Sequence, residues 1–457
     1  MKPVLVAAFL LTCAVPALRA DERALNLPIG DPARKDREAA LVLDGITDAA
    51  RGDTLTPPEL AARLDGVKLL FVGESHTDFE FHDVQLRVIQ ELHKRGRQVL
   101  VGLEMYPVPE QPWLDRWHSD KALTEEGFLS ESHWYKNWGY HWNYYRDIFL
   151  FARANGIRMF GVNLPRTAMQ TIRTKGFDAL PPEQRSLLPE KVDLDSPEHQ
   201  RLFRAFFGSE DALHGNMPEP MFQGMYRAQC GWDAAMSWNA VQALQKHGGE
   251  KAIMVVLIGA GHVAYGLGAE RQAKLWFDGK TATLVPVPLA EEAGASPIAK
   301  VQASYADFVW GLPASTDPLY PGVGIATPEQ KSGERYKVIM VAKESPGEAA
   351  GFKVGDELVS IDGLAYTDKE TVNRLMSEKR WGDSVVYKVL RDGQEQTLTA
   401  HLRRQPPKPK AAGEEPARPG PASPSGAEMP KVPKMPPAGV PGMPAAMPPK
   451  PPSGGGQ

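Results

Sequence analysis

Leu69-Leu70-Phe71-Val72-Gly73 runs directly into Glu74-Ser75-His76, and this junction sets the pattern for reading much of the chain. An apolar run this short, without polar alternation, is what a strand covered on both faces requires. The pattern recurs three times. Val99-Leu100-Val101-Gly102-Leu103 ends in Glu104, Met159-Phe160-Gly161-Val162 ends in Asn163, and Val255-Val256-Leu257-Ile258-Gly259 passes through Ala260-Gly261 into His262. Strands are therefore expected over Val67–Gly73, Gln98–Glu104, Arg158–Asn163 and Ala252–Gly259. Between them the apolar spacing turns helical, over Asp83–Lys94, Tyr144–Ala154 and Met221–Lys246, with Gly or Asn-Gly at the expected stops. Strands alternating with helices predict an α/β fold, an open parallel sheet flanked by helices.

In such a sheet all carboxyl ends of the strands lie along one edge, where ligands bind. Glu74, His76, Glu104, Asn163 and His262 should therefore converge although none is near another strand's residues in sequence. Gly73, Gly259 and Gly261 would let the backbone turn sharply there. Two carboxylates and two imidazoles at one edge support three kinds of chemistry. His76, Glu104 and His262 could hold a divalent metal, Glu74 or Glu104 could act as a general base on water, or the set could fix a larger cofactor by hydrogen bonds. Taken singly, Glu74 or Ser75 would more simply cap a helix; the recurrence at four strand ends favours a site.

Gly73-Glu74-Ser75-His76, Gly102-Leu103-Glu104, Asn163-Leu164-Pro165-Arg166 and Gly259-Ala260-Gly261-His262 together resemble the ChaN family. Trp134, Trp138 and Tyr145 ahead of Ala152-Arg153-Ala154-Asn155-Gly156-Ile157, and Gln229, Gly231, Trp232, Asp233 and Met236, belong to the same likeness. It covers residues 46–288, within a superfamily that includes erythromycin esterases and TraB/Tiki proteins. The resemblance implies either haem binding and iron uptake at the cell envelope, or hydrolysis at the Glu/His strand ends, with Mn, Co or Zn as the metal. A haem site needs an axial ligand and a flat apolar slot. Within His133–Tyr145, Trp134, Trp138, Trp142 and Tyr145 fall at helical spacing and are expected in the core. Tyr140, His141 and Tyr144 lie off that stripe and join His76, His262, Asn163 and Arg166 as cofactor-binding candidates. His82, His93, His118, His199 and His214 read as surface residues, although His82 stands six residues after His76. No Gly-x-Ser-x-Gly nucleophile motif is present, and Cys230, mid-helix among apolar neighbours, reads as a buried thiol.

The first module is expected over residues 44–290, with a polar insertion from Pro181 to Pro220 and a linker over 291–320. From 321 to 403 short strands and Gly-Asp turns return. Pro321-Gly322-Val323-Gly324-Ile325, Ser345-Pro346-Gly347-Glu348-Ala349-Ala350-Gly351-Phe352 through Gly355-Asp356, and Leu358-Val359-Ser360-Ile361-Asp362-Gly363 resemble a bacterial PDZ domain, a small α+β fold. The resemblance implies that the amides of Gly322, Val323, Gly324 and Ile325 grip a protein's terminal carboxylate while the peptide adds a strand to the sheet. Val323, Ile325 and Leu375 would wall its side-chain pocket, with a helix expected over Asp368–Arg380.

Residues 404–457 are rich in proline, with almost nothing apolar, and are expected to stay disordered. Residues 1–20 read as a signal peptide, Lys2 before an apolar run and Pro16 before small residues, far short of the ~20 residues a spanning helix needs. This places the protein in the periplasm or cell envelope, with lipidation of Cys13 as a membrane tether. A formal charge of −4 gives no general attraction to nucleic acid. The expected partners are a protein carboxyl terminus and a second copy of the chain. Three readings stay open: a haem- or metal-binding envelope protein, a metal-dependent hydrolase, and a PDZ adaptor without catalysis.

Overall fold

The computed structural model describes residues 24–206, 219–289, 298–313, 318–327 and 334–404. The expected signal segment with Cys13, the tail from 405 onward and His214 lie outside them. The first module is built on six parallel strands: β1 Leu69–Glu74, β2 Gln98–Pro107, β3 Arg158–Asn163, β4 Ala252–Gly259, β5 Thr281–Pro288 and β6 Phe308–Leu312. Across the sheet they run β6, β5, β1, β4, β2, β3, each parallel to its neighbour. Two short strands, Ile46–Asp48 and Thr54–Leu55, extend the β6 edge antiparallel. The four expected strands are all present. β1 and β4 are buried along their whole length, which explains their unbroken apolar runs.

β5 and β6 escaped the sequence reading for a physical reason. β5 carries Pro286 and Pro288, which argue against an interior strand. Its Thr281–Leu284 half pairs with β1, whereas Leu284–Pro288 pairs with β6. The prolines therefore sit where β5 has a neighbour on one side only. The expected linker over 291–320 needs correction. Lys300–Gln302 pairs with Glu38–Ala40, and β6 lies between β5 and Ile46–Asp48. The first module thus extends through Leu312 and begins before residue 44.

The helix Phe79–Lys94 begins at Asp78, whose side chain accepts from the Glu80 amide, and buries Phe81, Val84, Val88, Ile89 and Leu92 against the sheet. On the same stripe it also buries His82 and Gln85. The long helix Glu219–His247 likewise buries Cys230 and Asp233. The aromatic stretch, whose four rings fall at helical spacing, is not one helix. Trp134–Asn137 makes one turn, the chain opens through Gly139 (φ 88°), Trp142–Tyr144 forms a 3-10 turn, and Arg146–Ala154 is helical. Trp134, Trp142 and Tyr145 enter the core as expected; Trp138 does not.

The second module has an antiparallel sheet of Leu364–Ala365, Glu357–Ile361, Ser384–Arg391 and Gln394–His401 in that order, and a smaller pair of Ile325–Ala326 with Met340–Val341. Helices Pro346–Ala350 and Lys369–Ser377 cover its core of Val338, Leu358, Ile361, Val385, Tyr387 and Val389. Among the described residues no helix is long and apolar enough to cross a membrane.

Candidate functional site

Glu74, the last residue of β1, is buried and fully used as an acceptor. Its Oε1 receives the Tyr145 hydroxyl at 2.6 Å and His76 Nδ1–H at 2.8 Å, and its Oε2 receives Gln85 Nε2 at 2.7 Å. His82 Nδ1 lies 3.6 Å from Oε2 and donates to Gln85 Oε1 at 3.1 Å. Burial alone would raise the Glu74 pKa. The charges of His82 and His76 and the bonds from His76 and Tyr145 outweigh it and hold the carboxyl down to about 2. His76 responds in the opposite sense: burial opposes its charge, but the bond to Glu74 and the charges of Glu74 and Glu104 raise its pKa above 6.5. Burial pushes the His82 pKa down, against the Glu74 charge and the bond to Gln85, which raise it.

A second carboxylate–imidazole pair sits at the end of β4. His262 Nδ1 is 2.7 Å from Asp233 Oδ1, with the Gln229 amide 2.8 Å from the same nitrogen. Burial opposes its charge, and the Asp233 bond and carboxylate raise its pKa. Its Nε2 lies 3.7 Å from Glu104 Oε1, while Glu104 Oε2 accepts the Gly259 amide at 2.7 Å. A side chain at Gly259 would come within 3.3 Å of His76 Cε1, 3.6 Å of His76 Nε2 and 3.7 Å of Glu104 Oε2. His76 and Glu104 therefore face the same space at Gly259, and His262 joins them through Glu104, on the edge the parallel topology predicts. Asp233 also reaches the buried His199, whose Nε2 is 3.6 Å from Oδ2; burial pushes His199 down to about 4. Replacing Asp233 with asparagine removes the hydrogen-bonded carboxylate that raises the His262 pKa, which should therefore fall. Ring-proton titration by NMR reads that shift.

The other expected residues fall in two groups. Tyr140 stands at the crevice, its ring 4.9 Å from that of His76. Trp138, expected in the core, packs edge-on to His76 at 4.8 Å. Arg166 Nη2 donates to the Asn137 carbonyl at 3.1 Å, at the rim of the same loop. Asn163 serves the backbone: its Nδ2 donates to the Glu104 carbonyl at 2.9 Å and its Oδ1 accepts the Leu164 amide at 2.7 Å. His141 and Tyr144 turn away, to Tyr320: the His141 ring stacks on it at 3.4 Å, and Tyr144 meets it edge-on at 5.4 Å. Among the described residues no three His, Cys, Asp or Glu side chains form a group able to hold a metal ion, the expected His76, Glu104 and His262 included. Cys230 is buried as expected, and desolvation pushes its thiol up to about 12, out of nucleophile range.

Sequence reasoning missed Gln85 and gave Asp233, Tyr145 and Trp138 no site role although they belong to the family likeness, and it read His82 and His199 as surface residues although both are buried. The available signal was a polar residue on the apolar stripe of a helix: His82 and Gln85 on Phe79–Lys94, and Asp233 on Glu219–His247.

Residues 60–272 match the family model described as haem-binding uptake, Tiki superfamily, ChaN, and residues 321–402 match the PDZ domain model. The chain carries a ChaN-like domain followed by a PDZ domain. The ChaN of Campylobacter jejuni, solved with cofacially bound haem, aligns over 58% of this chain and 95% of that one at 16% identity and a TM-score of 0.45. Protein RETICULATA-RELATED 5, chloroplastic, of Arabidopsis thaliana is 26% identical over 219 residues, 45% of this chain and 28% of that protein. A putative zinc metalloprotease of Mesorhizobium japonicum is 43% identical over 63 residues, 14% of this chain and 17% of that protein. The chain thus spans less than a third of the length of either curated relative.

In the PDZ domain the loop from Pro321 to Gly324 is strapped to the start of the helix Pro346–Ala350. Gly347 N donates to the Val323 carbonyl and Ala342 N to the Gly324 carbonyl, both at 2.7 Å. Ser345 Oγ caps that helix at the Glu348 amide. Ile325 and Leu375 are partly buried against the core, at positions suited to a groove, while Val323 is buried within it. Gly324 has φ 79°, and a Cβ there would overlap Ser345 Cβ. Gly324→Ala is expected to cost the PDZ domain about 2 kcal/mol, from backbone strain and a steric clash together. Urea unfolding followed by hydrogen exchange in the 357–361 strand measures it.

Proposed function

We propose that this is an exported cell-envelope protein whose ChaN-like domain binds haem in the crevice at the strand ends, for iron uptake or handling. Its PDZ domain would recruit a partner through a free carboxyl terminus. The observation that carries the haem reading is the state of His76. Its Nδ1–H is fixed on a buried carboxylate, Nε2 lies on the opposite ring edge near the Gly259 space, and Trp138 and Tyr140 stand against the ring. Metal-ligating histidines characteristically donate their other ring N–H to a carboxylate or carbonyl, which fixes the tautomer and orients the ring. Bound haem would supply an iron that an imidazole nitrogen can ligate and a large apolar surface for aromatic side chains. His76 would hold the iron, and Tyr140, Trp138 and Arg166 would help hold the group. Export and lipid anchoring rest on residues 1–20 and Cys13. The test is a haemin titration of the full chain: a saturable Soret shift at one equivalent is expected, and no shift at micromolar haemin sinks the reading.

Acid–base hydrolysis is the second reading, favoured by the second dyad. His262, with its pKa raised by Asp233, stands 3.7 Å from Glu104 and could divide proton donor and acceptor roles with it. Ester turnover by haem-free protein, lost in His262→Ala and kept in Gly324→Ala, would support that reading over haem handling.

A further inference from the structure

The loop that brings Trp138 and Tyr140 to His76 is also the loop on which a helix of the PDZ domain rests. Along Lys369–Ser377, Glu370, Asn373 and Ser377 fall at the three- and four-residue spacing of one helix face. Each of them meets the ChaN-like domain. Glu370 is 3.1 Å from His133 Nδ1, Asn373 Nδ2 donates to the Tyr135 carbonyl at 2.8 Å, and the Ser377 carbonyl accepts His141 Nε2–H at 3.0 Å. Asn373 also comes up against the backbone between the two aromatic residues. Gly139 has φ 88°, and a Cβ on it would stand 3.0 Å from Asn373 Nδ2. The residue on one side of Gly139 packs edge-on to His76 at 4.8 Å, and the residue on the other lies 4.9 Å from the same ring. The loop has little regular structure to hold itself, one helical turn before the break and one 3-10 turn after it. Within the first domain the Trp134 indole donates to the Tyr140 carbonyl at 2.9 Å and Arg166 to the Asn137 carbonyl at 3.1 Å, and the helix of the second domain adds fixed contacts at Tyr135 and His141.

We propose that Asn373, in the PDZ domain, is a positioning residue for the crevice of the ChaN-like domain: through the Tyr135 carbonyl and the Gly139 backbone it sets where Trp138 and Tyr140 stand against His76. The proposal rests on the haem reading only for its ligand; the placement of the two rings is a property of the ligand-free chain. The same helix carries Leu375 toward the PDZ core and groove, so one rigid element contacts both sites. Thermodynamic linkage then makes any shift of that helix felt at the crevice, and the reverse.

The test uses the full chain as Asn373→Ala, with three measurements. These are hydrogen exchange of amides 134–141 without haemin, the indole 1H–15N resonance of Trp138 assigned through Trp138→Phe, and a haemin titration. Expected are faster exchange in that loop, a displaced Trp138 resonance and haemin affinity weakened about fivefold, the scale of one lost hydrogen bond. Unchanged exchange and an unmoved resonance overturn the proposal. So does a displaced loop with haemin affinity equal to the parent's. If the parent itself binds no haemin, the haem reading fails, and the loop exchange and the Trp138 resonance decide the positioning role by the same criteria. If amides of the 357–361 strand also exchange fast, the variant has unfolded its own domain. Glu370→Gln, which weakens the contact with His133 from the same face, then replaces it.

Discussion

Glu74→Ala is expected to destabilise the ChaN-like domain by about 4 kcal/mol, enough to remove much of the stability of an ordinary domain. The carboxylate is buried at the end of a central strand and accepts from Tyr145, His76 and Gln85 at once. Alanine leaves the buried Tyr145 hydroxyl and Gln85 amide without their acceptor, each costing about 1–3 kcal/mol where water cannot reach it, and releases the partly exposed His76. His76 and His82 also lose the charge that offsets their burial. Glu74→Gln should cost less, about 1–2 kcal/mol, because the amide oxygen can still receive Tyr145 and His76 while Gln85 turns its own amide. Urea unfolding at pH 7 separates the two. The acid limb gives a further signature. With its folded pKa near 2 against 4.5 when exposed, Glu74 contributes stability that is present above pH 4.5 and lost as pH falls toward 2. That contribution is about 3 kcal/mol at 1.36 kcal/mol per unit. The glutamine variant should lose this part of the acid dependence and the parent should show it.

His76→Ala should weaken haemin binding by about 100-fold or more, since removal even of a ligand's hydrogen-bond partner typically costs 10–100-fold in metal affinity. Stability should change far less than in Glu74→Ala, because Tyr145 and Gln85 still satisfy the carboxylate and the His76 side chain is already 29% exposed. The pH dependence has a definite sign. His76 has a raised pKa, so the bond to Glu74 stabilises the fold below pH 6.5 and this contribution fades as pH rises through the folded value. Nε2 must give up its proton before it can ligate, so haemin affinity should rise over that same interval. An affinity that is flat from pH 6 to pH 9, or a Soret shift retained in His76→Ala, would move the ligand to another residue of the crevice.

The convergence of Glu74, His76, Glu104 and His262 was legible in the sequence because parallel topology is a strong constraint: apolar runs identify the strands, and the polar residues that terminate those runs must share one edge. Both domain types were legible from spaced motifs. What the pattern concealed was the support behind the site. Gln85 and Asp233 sit on helix faces that periodicity assigns to packing, and a polar residue on such a stripe reads equally as an imperfect core position. Trp138 left its expected place for a related reason. The helical spacing of Trp134, Trp138, Trp142 and Tyr145 put all four on one core-facing stripe, but the positive φ of Gly139 interrupts it. Trp138 is thereby released to the crevice, and Tyr145 remains in the core with only its hydroxyl aimed at Glu74. His141 and Tyr144, chosen for lying off that stripe, point toward Tyr320 and the second domain, a surface no single-domain periodicity can anticipate.

The position of β6 has a consequence for how the protein is made. Strand Ile46–Asp48, near the start of the ChaN-like domain, hydrogen-bonds to a segment more than two hundred and fifty positions later in the chain. A nascent chain that stops short of residue 308 leaves both β5 and that early strand with bare backbone edges, the kind that recruit other chains into mixed sheets. The closing segment arrives only when the PDZ domain is about to emerge, so completion of the first sheet and delivery of its neighbour are tied to the same moment of synthesis.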